Sequence, residues 1–138
     1  MSRRPARAQD IDTLALSLPE VAESTAWGAR SFAVRGKNFI IFRTPSPDAL
    51  DEAGERLTDV VVFLVPTDDD KRALVLDGST PFFSTDHFTR YRAVLLRLAH
   101  IGRLSADELA EVVTDAWAAK APKRVAKAWF AEHGLTGP

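Results

Sequence analysis

Hydrophobic and polar positions divide the chain into segments of two different periods. Ile11, Leu14, Ala15 and Leu18 recur at the spacing of one helical face, with Asp10 placed to cap the helix and Pro19 to end it. From Arg30 to Arg43 the period falls to two: Phe32 and Val34 share a face, Ser31, Ala33 and Arg35 take the other, and Gly36-Lys37 turns the chain into Phe39-Ile40-Ile41-Phe42. That alternation predicts a β-hairpin. The stretch from Thr44 to Asp59 mixes Pro45, Pro47 and Gly54 with five carboxylates and reads as a solvated connection. Val60 to Val65 is β-branched and apolar on both faces, as a central strand is, and Pro66 stops it. Thr67 then caps a helix whose first turn is Asp68-Asp69-Asp70 and whose stop is Asp77-Gly78. A turn-rich aromatic segment follows, and Arg92 to Leu98 alternates again, Val94, Leu96 and Leu98 against Ala93, Leu95 and Arg97.

Ser105-Ala-Asp-Glu108 has the form of a capping box, and Leu109, Val112, Val113, Ala116 and Trp117 make the buried stripe of the helix it opens. Pro122, at a first helical position, starts a last helix with Val125, Ala126, Trp129 and Phe130 facing inward, and Gly134 closes it. Helix, hairpin, strand, helix, strand, helix, helix is the order of an α+β domain in which helices cover an antiparallel sheet. A single domain is expected over residues 9–134, preceded by a flexible basic tail over residues 1–8 that carries Arg3, Arg4 and Arg7.

Composition narrows the function classes. A chain of 138 residues, 46% of them apolar, can bury one sizeable core. Its longest apolar run, Val60 to Val65, is far short of the roughly 20 residues of a membrane span, and the Arg-rich start lacks the apolar region of a signal peptide. No membrane partner and a cytoplasmic location are the expectation. Without cysteine there is no thiolate nucleophile or Cys-ligated zinc, and three histidines are a thin ligand pool, so no metal or other cofactor is expected. A net charge of −1 gives no global attraction to nucleic acid, so a role of that kind must rest on local clusters.

Several short pieces, taken in order, resemble the MmcQ/YjbR family of small bacterial proteins. They are Leu16-Ser-Leu-Pro-Glu-Val21, Trp27-Gly28, Val34-Arg-Gly-Lys37, Phe82-Phe83, His87-Phe88, Tyr91-Arg-Ala-Val-Leu-Leu-Arg-Leu98 and Ala121-Pro-Lys-Arg124. The resemblance spans nearly the whole chain. It implies a frataxin-like (CyaY-like) two-layer α+β sandwich and a DNA-binding role with no established catalytic residues. The chain departs from the family pattern in a longer connection from Thr44 to Asp59, and in Arg92, where the family places a proline after its tyrosine.

Lys120, Lys123, Arg124 and Lys127 are spaced so that a continuous helix would put them on one face, which can meet phosphates; Arg90 and Arg92 extend the set, with Arg97 and Arg103 as further candidates. A solvated face that complements a helix C-terminal dipole explains the same spacing. His87 beside Asp86 has the makings of a proton acceptor, yet no Ser, Cys or Lys is placed by motif as its nucleophile, and no enzymatic activity is expected. Phe82, Phe83 and Tyr91 can stack on unpaired bases or fill the core. Three consecutive carboxylates on a helix point about 100° apart, so Asp68, Asp69 and Asp70 read as capping residues rather than as a cation site. Glu20, Glu23 and Trp27 can line a small cleft, with the Trp as a packing anchor. Because Phe39 to Phe42 and Val60 to Val65 are apolar on both faces, a protein partner or a second copy covering the sheet is the alternative to a nucleic-acid ligand.

Overall fold

Two tight turns, each with both central residues in the left-handed region, set the sheet. Trp27-Gly28 (φ 56° and 72°) joins β1 (Val21–Ala26) to β2 (Ala29–Val34), and Arg35-Gly36 (φ 48° and 81°) joins β2 to β3 (Lys37–Phe42). Two-residue loops of this kind carry the twist of the strands they connect, so they fix the register: Ala26 lies opposite Ala29, and Val34 opposite Lys37. β4 (Val60–Leu64) and β5 (Ala93–Arg97) complete a single antiparallel sheet in the order β1-β2-β3-β4-β5. The structure, a computed structural model, describes residues 3–43, 49–85 and 88–134.

The second turn lies one residue earlier than the expected Gly36-Lys37, and β1 is a strand that the hydrophobic pattern does not predict. Val21-Ala-Glu-Ser-Thr-Ala26 lacks apolar alternation because it is an edge strand whose inner residues, 22 to 25, are exposed. Opposite the irregularity between Phe32 and Ala33, β3 carries one extra residue. That bulge lets two successive side chains, Phe39 and Ile40, enter the same core cluster.

The helices are α1 (Ala8–Leu16), α2 (Asp68–Leu76), α3 (Ala106–Lys120) and α4 (Lys123–Glu132). The capping box holds as expected: the Ser105 hydroxyl accepts the Glu108 N–H at 3.0 Å while Glu108 accepts the Ser105 N–H at 2.9 Å. α1 starts earlier than expected. Asp10 lies inside its first turn and accepts the Arg7 N–H at 2.8 Å.

The segment expected as a flexible tail is held from Arg4 onward. The Arg4 carbonyl accepts the Ala106 N–H at 2.8 Å, the Ala6 N–H donates to the Leu104 carbonyl at 2.8 Å, and Ala6 is buried. The Arg4 guanidinium grips the Asp10 carboxylate with bonds of 2.8 and 2.9 Å. A basic terminus thus becomes a strap across the start of α3.

One core cluster joins the sheet to α1, α3 and α4 through Ile11, Phe32, Phe63, Leu96, Leu109, Trp117 and Phe130. Trp117 is fully buried at its centre, and its indole N–H donates to the Pro19 carbonyl at 3.0 Å. Removing such a side chain costs about 3 to 5 kcal/mol. A second cluster explains why β3 and β4 are apolar on both faces. Ile41, Val60, Val62, Ala93 and Leu95 are covered by Ala49, Leu57 and Phe88, all from the chain's own connections. This self-covering takes away the reason for expecting a partner over that face. The result is an α+β sandwich of one sheet and one helical layer, with loops over the other side. No helix among the described residues is long and apolar enough to cross a membrane.

Candidate functional site

The loop-covered side of the sheet is incompletely filled, and the aromatic turn beside its opening is tied to α2. Thr67 caps that helix by accepting the Asp70 N–H at 3.1 Å, and the first turn of α2 then brings Lys71 to the turn formed by residues 88–91. The Lys71 ammonium donates to the carbonyl of Phe88 at 2.5 Å, of Tyr91 at 2.7 Å and, more weakly, of Thr89 at 3.4 Å. Partial burial pushes its pKa below that of a free lysine, while Asp68 acts in the opposite sense.

This clamp fixes a row of three aromatic rings. The Phe88 ring is buried, with its centroid 6.0 Å from that of Trp27 and 5.7 Å from that of Tyr91. The Arg43 guanidinium lies 4.8 Å from the same ring. Trp27 and Tyr91, at the two ends of the row, remain 59% and 53% exposed. They border a hollow of about 390 Å³, which Lys37, Asn38 and Lys120 also line. The fully buried Ser31 hydroxyl donates to Asn38 Oδ1 at 2.8 Å, which fixes the amide. A second hollow of about 370 Å³ shares Leu64, Tyr91 and Lys120 with the first and adds Arg90 and Arg92.

The structure divides the expected cationic set. Arg90, Arg92 and Lys120 come together around the second hollow. Lys123, Arg124 and Lys127 do not join them there: they are exposed on α4 and line neither hollow. The cause is the backbone between the helices, extended at Ala121 (φ −67°, ψ 151°) and Pro122 (φ −54°, ψ 137°), which breaks the continuous helical face that the spacing suggested. Arg97 is engaged with Asp59 at 3.2 Å, and Arg103 lies beyond the opposite end of β5 from Arg92. Arg92 itself makes only an exposed 3.4 Å contact with Asp68, a pairing of little strength.

The remaining candidates separate. His87 and Asp86 lie outside the described residues. Asp68 meets Arg92, Asp69 meets Arg72, and Asp70 accepts the Thr67 hydroxyl at 2.8 Å, so the three carboxylates are turned to three different partners. Among the described residues no group of three His, Asp or Glu side chains is arranged to hold a metal ion. Phe82 is core, edge-on to Phe63 at 6.2 Å, and Phe83 bridges to Leu95. Glu20 and Glu23 do not share a cleft with Trp27: they pair with Arg35 at 2.7 Å and Arg30 at 3.3 Å. Trp27 is an exposed wall rather than a packing anchor. Lys37, which the sequence marks only as a turn and family-motif residue, and Asn38, which no sequence signal singles out, both belong to the site.

A family profile described as YjbR matches residues 16–119. Uncharacterized protein Mb2600 of Mycobacterium bovis is 32% identical to the chain over 131 residues, covering 91% of this chain and 96% of the relative. Uncharacterized protein Rv2570 of Mycobacterium tuberculosis matches with the same identity and coverage. No solved structure matches the chain. The match across residues 16–119 takes in the whole sheet, the Trp-Gly turn, the aromatic segment and α3 up to its last residue, and the chain belongs to the MmcQ/YjbR family.

Proposed function

We propose that the protein is a small cytoplasmic, non-enzymatic binding protein whose ligand is nucleic acid, held at the two adjoining hollows. The observation that carries this reading is the gathering of Lys37, Arg90, Arg92 and Lys120 around exposed aromatic rings in a chain whose net charge is −1. A local cation cluster on a chain that is otherwise net acidic supplies the phosphate attraction that overall charge does not. The DNA-binding role implied by the family resemblance agrees with it. The absence of cysteine and of any nucleophile motif in the sequence supports binding rather than turnover.

Fluorescence anisotropy with labelled single-stranded and duplex DNA at several salt concentrations tests the proposal. Three or four phosphate contacts give a log–log salt slope of about −2 to −4. Absence of binding to both DNAs at low salt overturns the reading and favours a protein partner at the exposed Trp27 and Tyr91 rings.

A further inference from the structure

Trp27 sits where the backbone least favours it. The first central residue of a two-residue turn with φ near +60° suits Asn, Asp or Gly, and a bulky aromatic there is a conformational outlier. Its side chain does not recover that cost by burial, since it is 59% exposed and touches the Phe88 ring along one side. Strain of this kind, kept at the rim of a hollow, points to a side chain retained for what it contacts outside the fold. Across the same hollow Tyr91 is also exposed and is held in place through its own carbonyl by Lys71.

We infer that the first hollow seats a single unpaired base, so that the nucleic acid recognised is single-stranded or locally opened. This deepens the nucleic-acid reading above and rests on it. Three observations support an unpaired base over a duplex. The surface recedes here into a hollow that an extruded base can enter. Its volume, about 390 Å³, is at the small end of ligand pockets and suits one planar group with its sugar. The exposed Trp27 and Tyr91 residues at the two ends of the row offer aromatic rings for stacking, which every base accepts and a paired base within a duplex does not. Lys37 and Lys120 supply phosphate contacts, and the Asn38 amide, its oxygen engaged by Ser31, keeps its NH₂ as a donor to a base edge. The second hollow, reached past Tyr91 and Lys120, carries the strand onward to Arg90 and Arg92.

The test exploits the strain. Trp27→Asn places the residue that this turn prefers before Gly28, so the fold is kept while the stacking surface is lost. With a single-stranded oligonucleotide and its duplex at one salt concentration, the parent protein is expected to bind the single strand at least about 10-fold more tightly, and Trp27→Asn to weaken that binding by about 5- to 100-fold while leaving duplex binding unchanged. Tyr91→Ala gives the same loss, and Tyr91→Phe, which keeps the ring, restores affinity. Salt-dependent binding that prefers duplex, or that Trp27→Asn and Tyr91→Ala leave unchanged, overturns the unpaired-base inference and leaves the nucleic-acid reading standing. No binding to either strand form overturns both.

Discussion

The Lys71 ammonium and the Tyr91 carbonyl oxygen, 2.7 Å apart, join α2 to the aromatic turn. One long side chain thereby engages two carbonyls of the turn, that of Tyr91 and that of Phe88, the latter also accepting the Tyr91 N–H at 3.1 Å. Lys71→Met keeps the aliphatic stem and removes the donor. It is expected to lower stability by about 1 to 3 kcal/mol. It should also weaken single-strand binding, because Tyr91 loses its anchor. Urea unfolding beside anisotropy reads both effects, and a variant with unaltered midpoint and affinity would show that the clamp positions nothing.

Ser105 governs the start of α3. Ser105→Ala is expected to cost about 0.5 to 2 kcal/mol without altering the fold, seen as a lower urea midpoint with an unchanged m-value.

Acid should release the N-terminal strap. The Arg4 guanidinium, helped by the Arg7 N–H and opposed by burial, holds the Asp10 carboxyl at about 2, below its ordinary 3.8. A carboxylate with a depressed folded-state pKa contributes stability that is fully present above the unfolded value. That contribution is lost as pH falls through the folded value, so the window here runs from about pH 4 down to about pH 2. Arg4→Ala is expected to lower stability at neutral pH. Its deficit against the parent should shrink across that window. Urea midpoints measured from pH 6 to pH 2 check the sign, and a constant deficit would mean that the pair does not titrate with folding.

The cations should divide functionally as they do spatially. Replacing Arg90 and Lys120 by Ala is expected to reduce the magnitude of the single-strand salt slope by about 1 to 2, whereas replacing Lys123 and Arg124 changes it by less than about 1. The opposite ranking would move the phosphate path onto α4.

Much of the fold is legible in residue order because local signals and tertiary demands agree. Ser105 with Glu108, Thr67 before three aspartates, and the alternation from Ala93 to Arg97 each state an element whose packing the core then needs. β1 was hidden for the opposite reason: an exposed edge strand needs no apolar side chains, and its pairing is dictated by the turn at Trp27-Gly28. The site was only half legible. Arg90, Arg92, Lys120 and Tyr91 stand out in the sequence by charge or ring, but their meeting with Trp27, Lys37 and Asn38 depends on strand order and on the clamp from α2. A helical spacing rule joined Lys120 to Lys123 across Ala121, where the backbone is not helical.

The strap from Arg4 to Ala6 bears on how the chain is made. Its partners, Leu104 and Ala106, are separated from it by nearly the whole sheet, and the end of α1 likewise waits for the Trp117 indole to reach Pro19. The strands can pair in the order of their synthesis, each with the one just made. The strap residues cannot find these contacts until α3 has emerged, so a segment made before the sheet is among the last parts of the molecule to settle.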